Sequence, residues 1–459
     1  MKENNPHILG TEKLRKLLLD YSIPAIIGMT LTSLYNIIDS VFIGHGVGAM
    51  AISGLAISFP LMNLLVAFCT LVGVGGATIS SIRLGQKDMC EAEEVLGNVT
   101  VLCVINSIFY GGITLIFLDK ILFFFGASPD TLPYARDFMQ VILIGSPITY
   151  VLIGLNNMMR ATGYPKKAML SSMFTVGCNI ILAPIFIFWC DWGIRGAATA
   201  TILSQLAGMI WVLIHFMQKS SYIRFRKGAF KLRKKIVGNI FGIGMSPFLI
   251  NICASAIVII FNNCLLRYGG DLAIGAFGIL NRLLMLFVMV VLGVTMGMQP
   301  IVGYNYGSHE FDRVTKTLKY CMIAGCCITS FGFIFSEIFP DLVVNIFTDD
   351  KELTALARTG LRIGILMFPI IGIQIVISNF FQSIGEVKVS IFLSLSRQLL
   401  YLLPCLLLLP RWWGLEGIWI SMPVSDFLAF VTACLMLAHH IKKNDYPHRV
   451  LISSGNRKI

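Results

Sequence analysis

The chain has 459 residues, 56% of them hydrophobic and only 13% charged, with a mean hydropathy of +0.79. A soluble domain carries about 25% charged residues, so too little charge is present to coat a water-facing surface, and the soluble globular classes are excluded. The net charge of +12 lies in short stretches between apolar runs, a placement that argues against nucleic acid as a partner and for a polytopic membrane protein.

The first 24 residues are polar for too long and lack a small-residue cleavage site, so no removable signal peptide is expected. A spanning helix needs about 20 apolar residues. Twelve segments qualify, at approximately 17–43, 51–81, 95–118, 133–158, 168–190, 196–217, 237–264, 272–304, 316–339, 354–381, 388–409 and 415–438. Between the sixth and seventh lies KSSYIRFRKGAFKLRKK, Lys219–Lys235. It holds eight cations (Lys219, Arg224, Arg226, Lys227, Lys231, Arg233, Lys234, Lys235) and no acid. Each Lys or Arg at a bilayer centre costs about 2.5–3.5 kcal/mol, so this block reads as a solvated linker. The expected organisation is an N-lobe over 1–218, a basic cytoplasmic linker over 219–235, a C-lobe over 236–440 and a cytoplasmic tail over 441–459. With the N-terminus inside, cytoplasmic segments hold 27 of the 36 Lys and Arg and the opposite side holds 8. Both termini are therefore expected in the cytoplasm.

The two flanks of the linker repeat each other. An offset of 222 pairs Gly75 with Gly297, Gly85 with Gly307, Arg136 with Arg358, Pro147 with Pro369, Gly163 with Gly385 and Lys166 with Lys388. An offset of 223 pairs Pro24 with Pro247 and Gly46 with Gly269, and one of 221 pairs Gly193 with Gly414 and Gly196 with Gly417. Apolar composition does not supply such punctuation. Six spans per half is an even number, so the halves share an orientation. The expected architecture is all-α, twelve transmembrane helices in two six-helix lobes related by a pseudo-twofold axis along the membrane normal, with a substrate path between them.

Asp39 lies in the first span. An intramembrane acid is costly and by default functional, although Gly44 lies only five residues on, so an interfacial reading stays open. Tyr35 shares its helical face, and Pro24 is expected to bend the helix below it. The counterpart of Asp39 at the 223 offset is Asn262, so the ionisable group belongs to the first half alone. Other polar groups inside spans include Asn156, Asn157, Asn179, Thr201, Gln205, Gln374 and the pair Arg397 and Asp426. Such groups serve as interhelical hydrogen-bonding partners or line a cavity, and the 21 Met and 32 Phe suit a re-packable binding surface. The twelve Cys show no metal spacing and read as small hydrophobes. His309-Glu310 is followed by Arg313 where a zinc-protease motif needs His. Asn98-Val99-Thr100 is a glycosylation triplet at a cytoplasmic helix start and is expected to be silent.

Several stretches, in order, resemble the multidrug and toxic compound extrusion (MATE) transporters, closest to their MepA-like bacterial branch. They are IPAIIGMTLTSLYNIIDSVFIG (Ile23–Gly44), MRATGYPKKAM (Met159–Met169), NIILAPIFIF (Asn179–Phe188), WGIRGAATATILSQ (Trp192–Gln205), GMQPIVGYNYG (Gly297–Gly307) and FFQSIGEVK (Phe380–Lys388). The resemblance covers nearly the whole chain. It implies two six-helix lobes around a central cavity and export of cationic and aromatic xenobiotics against a proton or sodium gradient. It implies that Asp39 is the cation-coupling residue, with Tyr35, Asn179 and Thr201 as neighbours and Pro24 as the bend. Asn156, Asn157, Gln205, Asn262 and Gln374 are candidates for the substrate cavity. The chain departs from the family in three places. Ala183 stands where many members have an acid four residues after the Asn, and Ser255 and Ile373 stand where the sodium-coupled branch has acids. Hard cations want several oxygens, so these departures move the expectation towards protons, with sodium at Asp39 as the alternative. No cofactor, enzymatic activity or nucleic-acid partner is expected. The partners are small drugs and membrane lipid, and the chain is expected to be a monomer. The alternatives are a lipid-linked oligosaccharide flippase of the same superfamily and, further off, an intramembrane enzyme.

Overall fold

The computed structural model describes residues 8–444 apart from 48, 126, 220, 227 and 346–350. Within them it describes side chains except at 32–41, 44–45, 49–50, 52–53, 56, 255, 271, 282, 342–343, 345, 351 and 443–444. Every regular element among the described residues is a helix, as lipid demands, because a span must satisfy its own backbone hydrogen bonds. The first half holds α1 (Leu14–Gly46), α2 (Ala49–Gly85), α3 (Met89–Ile116), α4 (Leu132–Ala161), α5 (Pro165–Trp189) and α6 (Gly193–Met217). The second holds α7 (Lys234–Gly270), α8 (Leu272–Gly307), α9 (Phe311–Ile338), α10 (Glu352–Gly364 with Phe368–Ser383), α11 (Val387–Leu408) and α12 (Pro410–Asn444). Among the described residues ten of these are long and apolar enough to cross a membrane, and the two pieces of α10, bent by 56°, make an eleventh. With α1, 33 residues long, the chain is an all-helical polytopic membrane protein with twelve long segments. The bend in α10 lies where Pro369 enters the first turn of its second piece, since proline removes a donor from the ladder. Its repeat partner Pro147 sits inside an unbroken α4.

The chain forms two compact units. The first comprises Ile23–Asn251 with the described residues up to Glu12, and the second comprises Lys13–Ser22 with Ile252 onward. The boundary thus falls inside α7, beyond the basic linker, and the first turns of α1 belong to the second unit. Glycines account for both segments. In the first unit a Cβ on Gly75 of α2 would run into the Ile240 carbonyl and lie 3.1 Å from the Gly244 nitrogen. A Cβ on Gly244 would in turn strike the Leu71 carbonyl. The opening turns of α7 therefore pack backbone to backbone on α2. In the second unit a Cβ on Gly297 of α8 would lie 2.7 Å from the Ser22 backbone nitrogen, so α8 receives the opening turns of α1 in the same manner.

The repeat reaches down to single contacts. Asp119, on the short helix Leu118–Phe124, pairs with Arg136 at 3.3 Å, and Asp341, on the short helix Pro340–Asn345, pairs with Arg358. Both partners are displaced by 222. Around the α2–α3 turn Arg83 pairs with Glu91 at 3.1 Å, and around the α8–α9 turn Arg313 donates to the Asn305 side chain at 3.0 Å. These too are twins, with the cation moved to the other partner. The turns share a backbone conformation: Lys87 has φ 62° and His309 φ 61°. The His309-Glu310 dipeptide is thus a tight helix-to-helix turn.

The basic linker is more than a solvated charge run. Asn98, fully buried on α3, donates its side-chain amide to the carbonyls of Ala229 at 3.2 Å and Lys231 at 3.1 Å, and its side-chain oxygen accepts from the Arg233 backbone at 3.0 Å. Arg233 also pairs with Glu94 at 2.6 Å. The Tyr222 backbone donates to the Tyr164 hydroxyl at 3.1 Å, and Phe225 stacks on Phe230 with ring centres 5.4 Å apart. Burial raises the Tyr164 and Tyr222 phenols above their ordinary range. The linker backbone is held against the rest of the first unit, and its described cations are exposed.

Candidate functional site

The first unit gathers uncharged polar side chains from α4, α5 and α6. Asn179 on α5 and Thr201 on α6 are 3% and 6% exposed, and the Asn179 amide donates to the Thr201 hydroxyl at 3.4 Å. Thr201 in turn donates to the Ala197 carbonyl one turn back at 3.1 Å. Gln205, one turn further along the same face of α6, accepts a hydrogen bond from the Thr149 hydroxyl of α4. Two of the residues predicted for the coupling site are therefore in contact, with a cavity candidate one turn away. Ala183, one turn beyond Asn179, is fully buried, so a methyl group fills the place where an acid would add an oxygen. Directly after it Pro184 opens a π-helical turn, Ile185–Trp189. Proline withholds a ladder donor, and π turns are frequent at functional sites.

Asp39 and Tyr35 lie on α1 in this same unit, but their side chains fall outside the described residues. Pro24 is buried inside α1, and the helix continues through it. Asn156 serves another contact. Its amide donates to the Ala168 carbonyl at 2.9 Å and the Ser171 hydroxyl at 2.7 Å, and its oxygen accepts from Arg160 at 3.2 Å, which ties α4 to the start of α5. The Asn157 amide lies against Gly73 of α2, 3.0 Å from where a Cβ would stand.

In the second unit Asn262 is half-buried on α7, and Gln374, 6% exposed on α10, donates to the Ser378 hydroxyl at 3.4 Å. The charge in this unit lies elsewhere. Arg397 donates from Nε to Asp426 at 2.7 Å, with side-chain exposures of 33% and 3%. Arg397 belongs to a second π-helical turn, Ser396–Leu402, and Asp426 to α12. Tyr401, one turn on from Arg397, meets Thr432 at 2.7 Å across the same two helices. At the 221 offset of these last spans Asp426 is the twin of Gln205. The same point of each unit therefore accepts a hydrogen bond, from a hydroxyl in the first and from a guanidinium in the second. No cluster of three or more His, Cys, Asp or Glu able to hold a metal occurs among the described residues. Asn98 is the residue sequence reasoning missed. Nothing in its triplet distinguishes a linker clamp from an idle surface amide.

The sequence profile of the MatE family matches the chain twice, over residues 24–185 and 247–407. The two matches begin 223 residues apart and end 222 apart, the offsets of the internal repeat. The multidrug export protein MepA of Staphylococcus haemolyticus is 27% identical over 441 residues, covering 96% of each chain. Among solved structures, the MATE multidrug transporter DinF-BH, captured in complex with a ligand, is 33% identical and superposes with a TM-score of 0.88 over 96% of this chain and 98% of that one. A MATE structure in the bent conformation reaches a TM-score of 0.91 at 24% identity, over 97% of this chain and 99% of that one, a likeness of fold. With well over half its residues matched and the match doubled as its own repeat requires, the chain belongs to the MatE family.

Proposed function

We propose that the chain is a secondary active exporter that moves cationic and aromatic drugs out of the cell in exchange for an inward proton or sodium flow, by alternating access of its two lobes. The observation that carries this reading is the buried Asn179–Thr201 contact. It sets two uncharged oxygen-bearing side chains in the unit that also contains the α1 segment with Asp39. Relatives similar over nearly the whole length are multidrug exporters by name, and one related multidrug transporter structure is a ligand complex. Asp39 carries the coupling ion. An ion drives transport only if its binding changes the relative stability of the two facing states, and a carboxylate changes charge where amides and hydroxyls do not. The Lys and Arg distribution supports cytoplasmic termini.

Ethidium efflux, with the proton and sodium gradients collapsed separately, tests the proposal. Wild-type efflux is expected to fall when one gradient is lost. Asp39→Asn is expected to insert and to bind dye, because an amide is nearly isosteric and cheaper to bury than a charge, yet to lose gradient-driven export. Wild-type export rates from the Asn variant at equal expression would overturn the assignment of Asp39.

A further inference from the structure

We propose that the linker between α6 and α7 is a docking surface for the headgroups of anionic phospholipids in the leaflet it faces. Four observations meet there. The stretch Lys219–Lys235 has eight cations and no acid. The seven that are described, Lys219, Arg224, Arg226, Lys231, Arg233, Lys234 and Lys235, are all exposed. Two apolar side chains sit among them, Phe230 at 46% and Leu232 at 45% exposure. Finally, the linker joins two helices long and apolar enough to cross a membrane, ending at Met217 and starting at Lys234, so it lies at the level of the headgroups.

The backbone beneath these groups is fixed. Asn98 binds it at Ala229, Lys231 and Arg233, the buried Ile223 and Ala229 anchor it, and Phe225 packs between Phe216 and Phe230. The cations are thus presented on a held frame, which lowers the ordering cost of binding. Two of the nearby acids are already engaged, Glu94 with Arg233 and Glu91 with Arg83. Lys231, Lys234 and Lys235 remain directed to solvent beside Phe230 and Leu232. A cation cluster next to a span attracts anionic headgroups, and apolar side chains interleaved with it enter the acyl boundary. Soluble phosphate offers the same charge without the acyl boundary, so Phe230 and Leu232 are what select a lipid.

The test is lipid retention by the purified full chain, read by native mass spectrometry, with phosphatidylglycerol against phosphatidylcholine. Preferential retention of phosphatidylglycerol is expected, weakening as salt is raised. The combined variant Lys231→Gln, Lys234→Gln, Lys235→Gln is expected to lose affinity about fivefold per cation removed. Phe230→Ser with Leu232→Ser is expected to weaken lipid retention and leave binding of glycerol phosphate unchanged. Asn98→Ala keeps every charge but frees the frame, and is expected to reduce the preference between the two lipids. Equal retention of both lipids by the wild type would overturn the proposal. So would full competition by glycerol phosphate at matched headgroup concentration, which would make the surface a free-phosphate site.

Discussion

Arg397 and Asp426 form the one buried charge pair described within the second unit's spans. Taking both charges out of water is costly, and the contact repays that only while both partners remain. Arg397→Met leaves the 3%-exposed Asp426 carboxylate without its guanidinium. The expected loss of stability approaches, without reaching, the about 3–5 kcal/mol of a fully buried pair, because Arg397 is one-third exposed. Adding Asp426→Leu to that variant is expected to restore most of the loss, as read by thermal unfolding in detergent. A double variant as unstable as the single one would assign the effect to lost packing. At this scale the sequence was legible in part. It offered Arg397 and Asp426 as a pair because both are rare in spans, and it offered Asn179 and Thr201 as neighbours only through the family resemblance. Asn98 drew notice only as part of a glycosylation triplet expected to be silent, since a clamp is defined by the carbonyls around it, more than 130 residues away along the chain.

At the level of helices the repeated glycines have the clearest role. Gly75→Ala is expected to force α7 off α2, and Gly297→Ala to force α1 off α8, because in each case the added carbon meets backbone. Overpacking costs about 1–3 kcal/mol, and backbone yields less readily than a side chain. Gly112→Ala and Gly278→Ala, where nothing lies within 4 Å, serve as controls and are expected to unfold at the wild-type temperature. Thermal unfolding of the four variants decides between a packing role for the twin glycines and a merely inherited one. The sequence showed that Gly75 and Gly297 recur. It did not show what they receive, because the packing partner of a helix is a tertiary choice that helical periodicity leaves free. The paired left-handed turns at Lys87 and His309 were illegible for a related reason: neither residue is a glycine, and the conformation is imposed by the helices on either side.

For the whole molecule, the spans and the repeat were readable from apolar runs and punctuation, and the family from the six stretches that resemble it. The compact units were not, because residues far apart in sequence define them. Sidedness is checked by single cysteines at Gly228, in the linker, and at Asp130, in the loop before α4, each in a chain whose twelve native Cys are replaced by Ser. Three spans separate them, so a membrane-impermeant thiol reagent is expected to reach only the Asp130 position from outside intact cells. Labelling at Gly228 from that side would reverse the orientation.

The exchange of opening turns also sets an order of assembly during synthesis. The first unit needs Lys234–Asn251 on α2, so a ribosome that has released six helices has not yet released a finished half. Conversely, Lys13–Ser22 leaves the ribosome long before Gly297 of α8 and must wait for it, because its packing surface does not exist until then. A nascent chain arrested just after residue 218 is therefore expected to be cleared by membrane proteases, and one arrested after residue 251 to survive longer.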